Sequence, residues 1–191
     1  MLLDKRRLLG TMGVLASPML LIESARSGFD TPAFDRVNAL LGLVFLVGWA
    51  CSMIGLSCHR AMGVGARGIW LLAMQGVGLM LAASQQIQDF LFRHSNTENA
   101  LYRVADTAWP LSVVFMLVVG GVVARARVWS GWRRWSPLLC GMSLPLLFVT
   151  MGVAGRYASA IVFGFSTTLA WAMLGWAVAT PPKAGSAASS A

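Results

Sequence analysis

Six long apolar blocks separated by short polar ones set the pattern of this chain. They lie at about residues 8–24, 37–57, 68–88, 107–124, 136–155 and 159–179. Each approaches the ~20 apolar residues, in a range of about 17–25, that a helix needs to cross a bilayer. The blocks are continuous, unlike the alternating segments of about ten residues that make an outer-membrane barrel. The pattern therefore predicts an all-α fold: a polytopic membrane helix bundle of six transmembrane helices forming a single unit over residues 1–180. The longest polar connections, about 23–36 and 89–103, are loop-sized and leave no room for a soluble domain. After Pro181-Pro182 the stretch 181–191 has nothing to bury and reads as a disordered cytoplasmic tail.

Polar residues inside the blocks carry the next layer of information. In the third predicted span Gln75, Gly78, Ala82, Gln85, Gln86 and Asp89 recur at helical spacing and share one face, which Arg93 continues. Such a stripe must look into the bundle. It serves either as interhelical glue, worth about 0.6–2 kcal/mol per bond, or as the lining of a water-accessible vestibule. Ala160, Gly164, Thr168 and Ala172, four apart, offer the sixth span a close-packing face. Pro18 and Pro145 each remove a helical hydrogen bond and predict kinks in the first and fifth spans.

Composition agrees with a membrane protein and charge orients it. Of 191 residues, 57% are hydrophobic and 12% charged, against about 45–50% and about 25% in soluble domains. The net charge of +8 is unevenly spread: ten of the fifteen basic residues flank the ends that both termini share. Six of the seven acids lie on the other side, so both termini are expected in the cytoplasm. The distribution points to anionic lipid and not to nucleic acid. A basic stretch precedes the first block, but no small-residue cleavage site follows, so it reads as a retained helix and not as a signal peptide.

The stretch from Ala105 to Trp135, "ADTAWPLSVVFMLVVGGVVARARVWSGWRRW", poses two questions. Its far end, with Arg125, Arg127, Arg133 and Arg134 among Trp129, Trp132 and Trp135, reads as a lipid-interface anchor, the tryptophans three apart at headgroup depth. Its near end is open between two readings. In one, the helix starts at Thr107 as N-cap and Asp106 faces its positive end. In the other, the helix begins earlier, in "ENALYRVAD", and Pro110 breaks it, leaving the Asp106 carbonyl without a donor. Topology collects Glu23, Gln85, Gln86, Asp89, Asp106, Trp109, Arg156 and Tyr157 at the outer side, with Gln75 deeper, as a candidate outward-facing cavity. Arg156 is the expected partner of one acid.

No motif names a reaction. There is no H-E-x-x-H pair, nucleophile elbow or phosphate loop. The only lysines, Lys5 and Lys183, lie outside the spans, which disfavours a Schiff-base chromophore. Cys51, Cys58 and Cys140 lack metal-ligand spacing, and His59 and His94 fall on opposite sides. No cofactor is indicated.

The run "DTAWPLSVVFMLVVGGVVARA…GWRRWSPLLCG" resembles segments of small, uncharacterised bacterial six-helix integral membrane proteins, across about the fourth and fifth spans. The resemblance implies a bundle in the bacterial inner membrane and carries over no activity and no functional residue. The expected function is non-enzymatic binding of a lipid, small ligand or membrane partner through the outer cavity, with a homo-oligomer among the partners considered. The alternative is a small transporter or channel using Asp106, Glu23 and the polar stripe. A membrane-embedded enzyme with an outer carboxylate pair stands third.

Overall fold

A computed structural model describes residues 2–27, 35–92 and 99–180, and among these all the regular structure is helical, with no strand. The expected tail at 181–191 lies outside them. The elements are α1 (Leu2–Ala16), α2 (Met19–Ser27), α3 (Arg36–Cys58), α4 (Ala66–Leu91), α5 (Ala100–Ala126) and α6 (Ser136–Ala179), with a 3-10 turn, Gly131–Trp135, before α6. Five helices are long and apolar enough to cross a membrane, when α1 and α2 are taken together as Lys5–Ser27. Large apolar side chains cover the outside, among them Leu15, Ile54, Met80, Leu111, Phe148 and Leu169. A soluble protein does not present so much of its apolar surface to water.

The local chemistry sets the helix ends. Pro18 lacks an N–H, and the first helix breaks at Ser17–Pro18 into α1 and α2, at the proline where a kink within one span over 8–24 was expected. Asp35 caps α3 by accepting from the Val37 amide at 2.9 Å, and Asn99 caps α5 by accepting from Leu101 at 3.0 Å. The Asn99 cap decides between the two readings of this end: α5 starts at Ala100, in the earlier segment and seven residues before 107, and it runs through Pro110 without breaking there. Thr107 is no cap, since its hydroxyl donates back to Arg103 and Val104 inside the helix. Pro145 sits within α6 without ending it.

The longest helical stretch reverses on itself. Gly155 alone in α6 has non-helical angles, φ 77° and ψ 172°, in the left-handed half of conformational space that glycine enters without strain. Arg133, just before α6, donates to the hydroxyl of Thr180, just after it. A straight helix of 44 residues would hold those ends ~66 Å apart. The reversal therefore gives α6 two antiparallel arms, 136–154 and 156–179.

Neighbouring helices run antiparallel, packed through small residues. A Cβ on Gly175 would meet the Val14 amide at 2.7 Å and the Gly10 carbonyl at 2.8 Å, and one on Gly164 the Leu21 backbone at 2.8 Å. The second arm of α6 thus lies against α1 and α2. The first arm lies against α5, with Gly141 over Leu117. Phe45, Trp49 and Trp171 fill the centre, their rings 5.0–6.0 Å apart. Without a hydrophobic drive between helices in lipid, this close packing is what holds the bundle.

Candidate functional site

One end of the bundle gathers acids, the other bases. At the acidic end a cavity of about 410 Å³ opens between four elements. Glu23 and Ser24 come from α2, Gln85 and Gln86 from α4, and Asp106, Thr107, Trp109 and Pro110 from α5. Leu20 and the two arms of α6, through Leu147 and Phe163, close it with apolar surface. Trp109 stands edge-on to Phe163 at 5.8 Å.

The start of α5 explains how Asp106 reaches this cavity. Because the helix begins at Ala100, Asp106 lies within its second turn, on the face that Tyr102 and Trp109 share at spacings of four and three. Pro110 brings no N–H to the Asp106 carbonyl. Among the described residues neither Glu23 nor Asp106 has an ion-pair partner; Arg26 pairs with Asp35 at 2.8 Å on the surface. Two carboxylates from different helices therefore line one partly apolar space.

The other predicted site residues divide. Asp89 is used internally: it accepts from the Tyr102 hydroxyl at 2.9 Å and from the Gln85 amide. That cluster ties α4 to α5 and fixes Gln85 at the cavity wall. Tyr102 was missed by sequence reasoning, although its spacing from Asp106 and Trp109 was a usable signal. Gln86 sits against Gly42, where any Cβ would strike its amide at 2.8 Å. Gln75 is 1% exposed, reaches the Ser112 carbonyl at 3.4 Å, and leaves its own carbonyl oxygen without a partner. Arg156 and Tyr157 are exposed beside the reversal at Gly155 and do not line the cavity.

The basic end is knit by hydrogen bonds to helix ends. Arg6 donates to the Cys58 carbonyl at 2.8 Å, and His59 Nε2 sits 2.9 Å from the Val178 carbonyl. Burial, with Arg6 and Arg133 nearby, holds the His59 imidazole below its ordinary pKa, against the opposing pull of the Val178 carbonyl. Trp129 departs from the expected interfacial belt: it is 3% exposed and stands edge-on to His59 at 5.7 Å. Trp132 and Trp135 remain exposed, with Arg134 4.8 Å over the Trp135 ring, and Arg125 and Arg127 are exposed at the end of α5. Cys58 is exposed while Cys140 is buried, and among the described residues no three metal-ligating side chains come together.

Fold and site together define an all-α protein with membrane-length apolar helices and a polar cavity at its acidic end. No protein-family model, curated protein or solved structure matches this chain.

Proposed function

We propose that this chain is an integral membrane protein of six spans that binds a small ligand, cationic at one end and apolar at the other, in the acidic cavity. The two arms of α6, of 19 and 24 residues by their bounds, each suffice to cross a ~30 Å core, and the reversal at Gly155 supports counting them separately. The gathering of Arg6, Arg60, Arg127 and Arg133 at one end supports placing that end in the cytoplasm, which opens the acidic cavity outward. The resemblance noted above is in keeping with a bacterial inner membrane.

The observation that carries the ligand class is the pair Glu23 and Asp106. Glu23 is half-buried and Asp106 exposed, and carboxylates without a cationic partner attract a bound cation more strongly the less solvent screens them. Trp109 adds a ring face suited to an ammonium or phosphonium group, worth up to about 2 kcal/mol when desolvated. Leu20, Leu147 and Phe163 accept the apolar part.

Tetraphenylphosphonium titrated into the full chain in nanodiscs tests this by calorimetry. Glu23→Gln, at a half-buried carboxylate, should weaken binding at least tenfold, because removing one partner of a desolvated charge pair costs ~2–5 kcal/mol, and Asp106→Asn, at an exposed one, should weaken it less. A neutral triarylphosphine oxide binding as tightly, or binding unchanged in both variants, would overturn the reading. Gln75 favours a second one, transport. It lies ten residues along α4 from Gln85, ~15 Å or half the hydrocarbon thickness deeper, with an unpartnered oxygen. Flux of the same cation into liposomes, lost in Gln75→Leu, would establish that path, and its absence would restrict the protein to binding.

A further inference from the structure

On the outside of the bundle, a groove of about 470 Å³ runs between α3 and α4. Its walls are almost wholly apolar, from Leu43 and Ala83 at one end to Ser57 and Leu72 at the other. Its α3 wall, fourteen helical steps from Leu43 to Ser57, is ~21 Å long, more than the ~15 Å depth of one leaflet. Val47, Ile54 and Met80 on its rim are exposed, so it opens sideways into the bilayer.

Ser57 and Leu72 also line a second, more polar pocket of about 270 Å³ at the basic end, formed by the α3–α4 connection with Arg60, Gly63 and Gly65. The groove is thus continuous with a cationic head. The backbone there is specific. The Ala61 amide donates to Leu56 and the Arg60 amide to Ser57, closing α3 in a Schellman motif with Arg60 at φ 50°. Glycine is the unstrained residue at that position, and an arginine holds it instead. Arg60 lines this pocket and supplies its cation. The first turn of α4, with Gly65 as an N-cap that provides no side-chain bond, leaves N–H groups beside it.

We propose that this continuous groove seats one anionic glycerophospholipid of the inner leaflet. An acyl chain lies between α3 and α4, and the phosphate meets Arg60 and the start of α4. Continuity with the cationic pocket selects this occupant over a helix of a partner, which would meet only the apolar groove. Charge complementarity selects the headgroup, since the pocket lies among the basic residues of its end. The inference rests on the membrane reading but is independent of the acidic cavity.

Two variants separate this from ordinary annular lipid. Arg60→Gly relieves the backbone strain, so the fold is retained while the cation is lost. Gly76→Leu fills the groove, because a Cβ on Gly76 meets nothing within 4 Å. The full chain is placed in nanodiscs of mixed phosphatidylglycerol and phosphatidylcholine with identical acyl chains, released, and its retained lipid counted by native mass spectrometry. The wild type should retain one phosphatidylglycerol. Arg60→Gly should lower the preference over phosphatidylcholine about fivefold, at an unchanged or raised thermal midpoint. Gly76→Leu should retain neither lipid and keep its helical circular dichroism. Equal retention of the two lipids by wild type, unchanged retention in Gly76→Leu, or a dimer that Gly76→Leu dissociates would each overturn the proposal.

Discussion

At the basic end, Arg6 donates to the last carbonyl of α3, His59 lies against the Val178 carbonyl near the end of α6, and Arg133 bonds Thr180 across the mouth of the α6 hairpin. At the acidic end, Glu23 and Asp106 face a cavity without an ion-pair partner among the described residues. Helix C-termini present unsatisfied carbonyls and a negative dipole end, which Arg6 and His59 meet at the ends of α3 and α6. At this end Arg6 and Arg133 are used in closing the fold, and on the reading proposed above the two carboxylates at the other end are left for a ligand. The Asp89–Tyr102–Gln85 cluster marks the boundary, since its acid is bonded and braces the cavity wall instead of lining it.

Substitutions separate the two ends by size of effect. The largest belongs to the close-packed seam near the basic end. Gly175→Leu would drive a side chain into the backbone of Gly10 and Val14, and overpacking of this kind costs about 1–3 kcal/mol or more. We expect loss of the monodisperse folded protein in mild detergent; a normal thermal midpoint would show that the seam is not what closes this end. At the acidic end, Asn99→Ala removes the cap of α5 and should cost about 1 kcal/mol. An unchanged midpoint would favour a helix that starts at residue 107.

A smaller effect should distinguish the ends by pH. The folded pKa of His59 lies below its ordinary value of 6.5, so the unfolded chain takes up a proton first as pH falls. The stability linked to His59 is therefore complete above about pH 6.5 and declines below it. His59→Gln should flatten that decline in thermal midpoints taken from pH 7.5 downward. An identical slope in the variant would assign the decline to other groups. Smallest of all, Glu23→Gln and Asp106→Asn should move the midpoint within about ±0.5 kcal/mol, as groups that bond nothing in the fold. A large destabilisation would place these acids with the structural charges.

Helix class and most helix positions were legible because apolar blocks of membrane length leave few alternatives. Even the reversal at Gly155 falls at the last residue of the predicted segment 136–155, next to the gap before 159–179. The start of α5 was not legible on the same basis, because residues 100–106 are too polar to extend an apolar block. Their helical state depends on the Asn99 cap and on Tyr102 finding Asp89. Trp129 misled for a related reason. Its spacing of three from Trp132 is shared with an interfacial belt, and only the position of His59, seventy residues earlier, makes it a core residue. The grouping of Glu23, Gln85, Gln86, Asp106 and Trp109 followed from topology alone, whereas the outlying position of Arg156 and Tyr157 depended on how the hairpin turns.

The most direct test places a single cysteine at Thr107, which lines the cavity and is exposed, with Cys51, Cys58 and Cys140 replaced by serine or alanine. A membrane-impermeant maleimide is applied to intact cells with and without tetraphenylphosphonium. The account predicts labelling from outside that the cation slows in proportion to its occupancy. Labelling only after the membrane is opened would contradict the orientation, and outside labelling that the cation leaves unchanged would contradict the ligand.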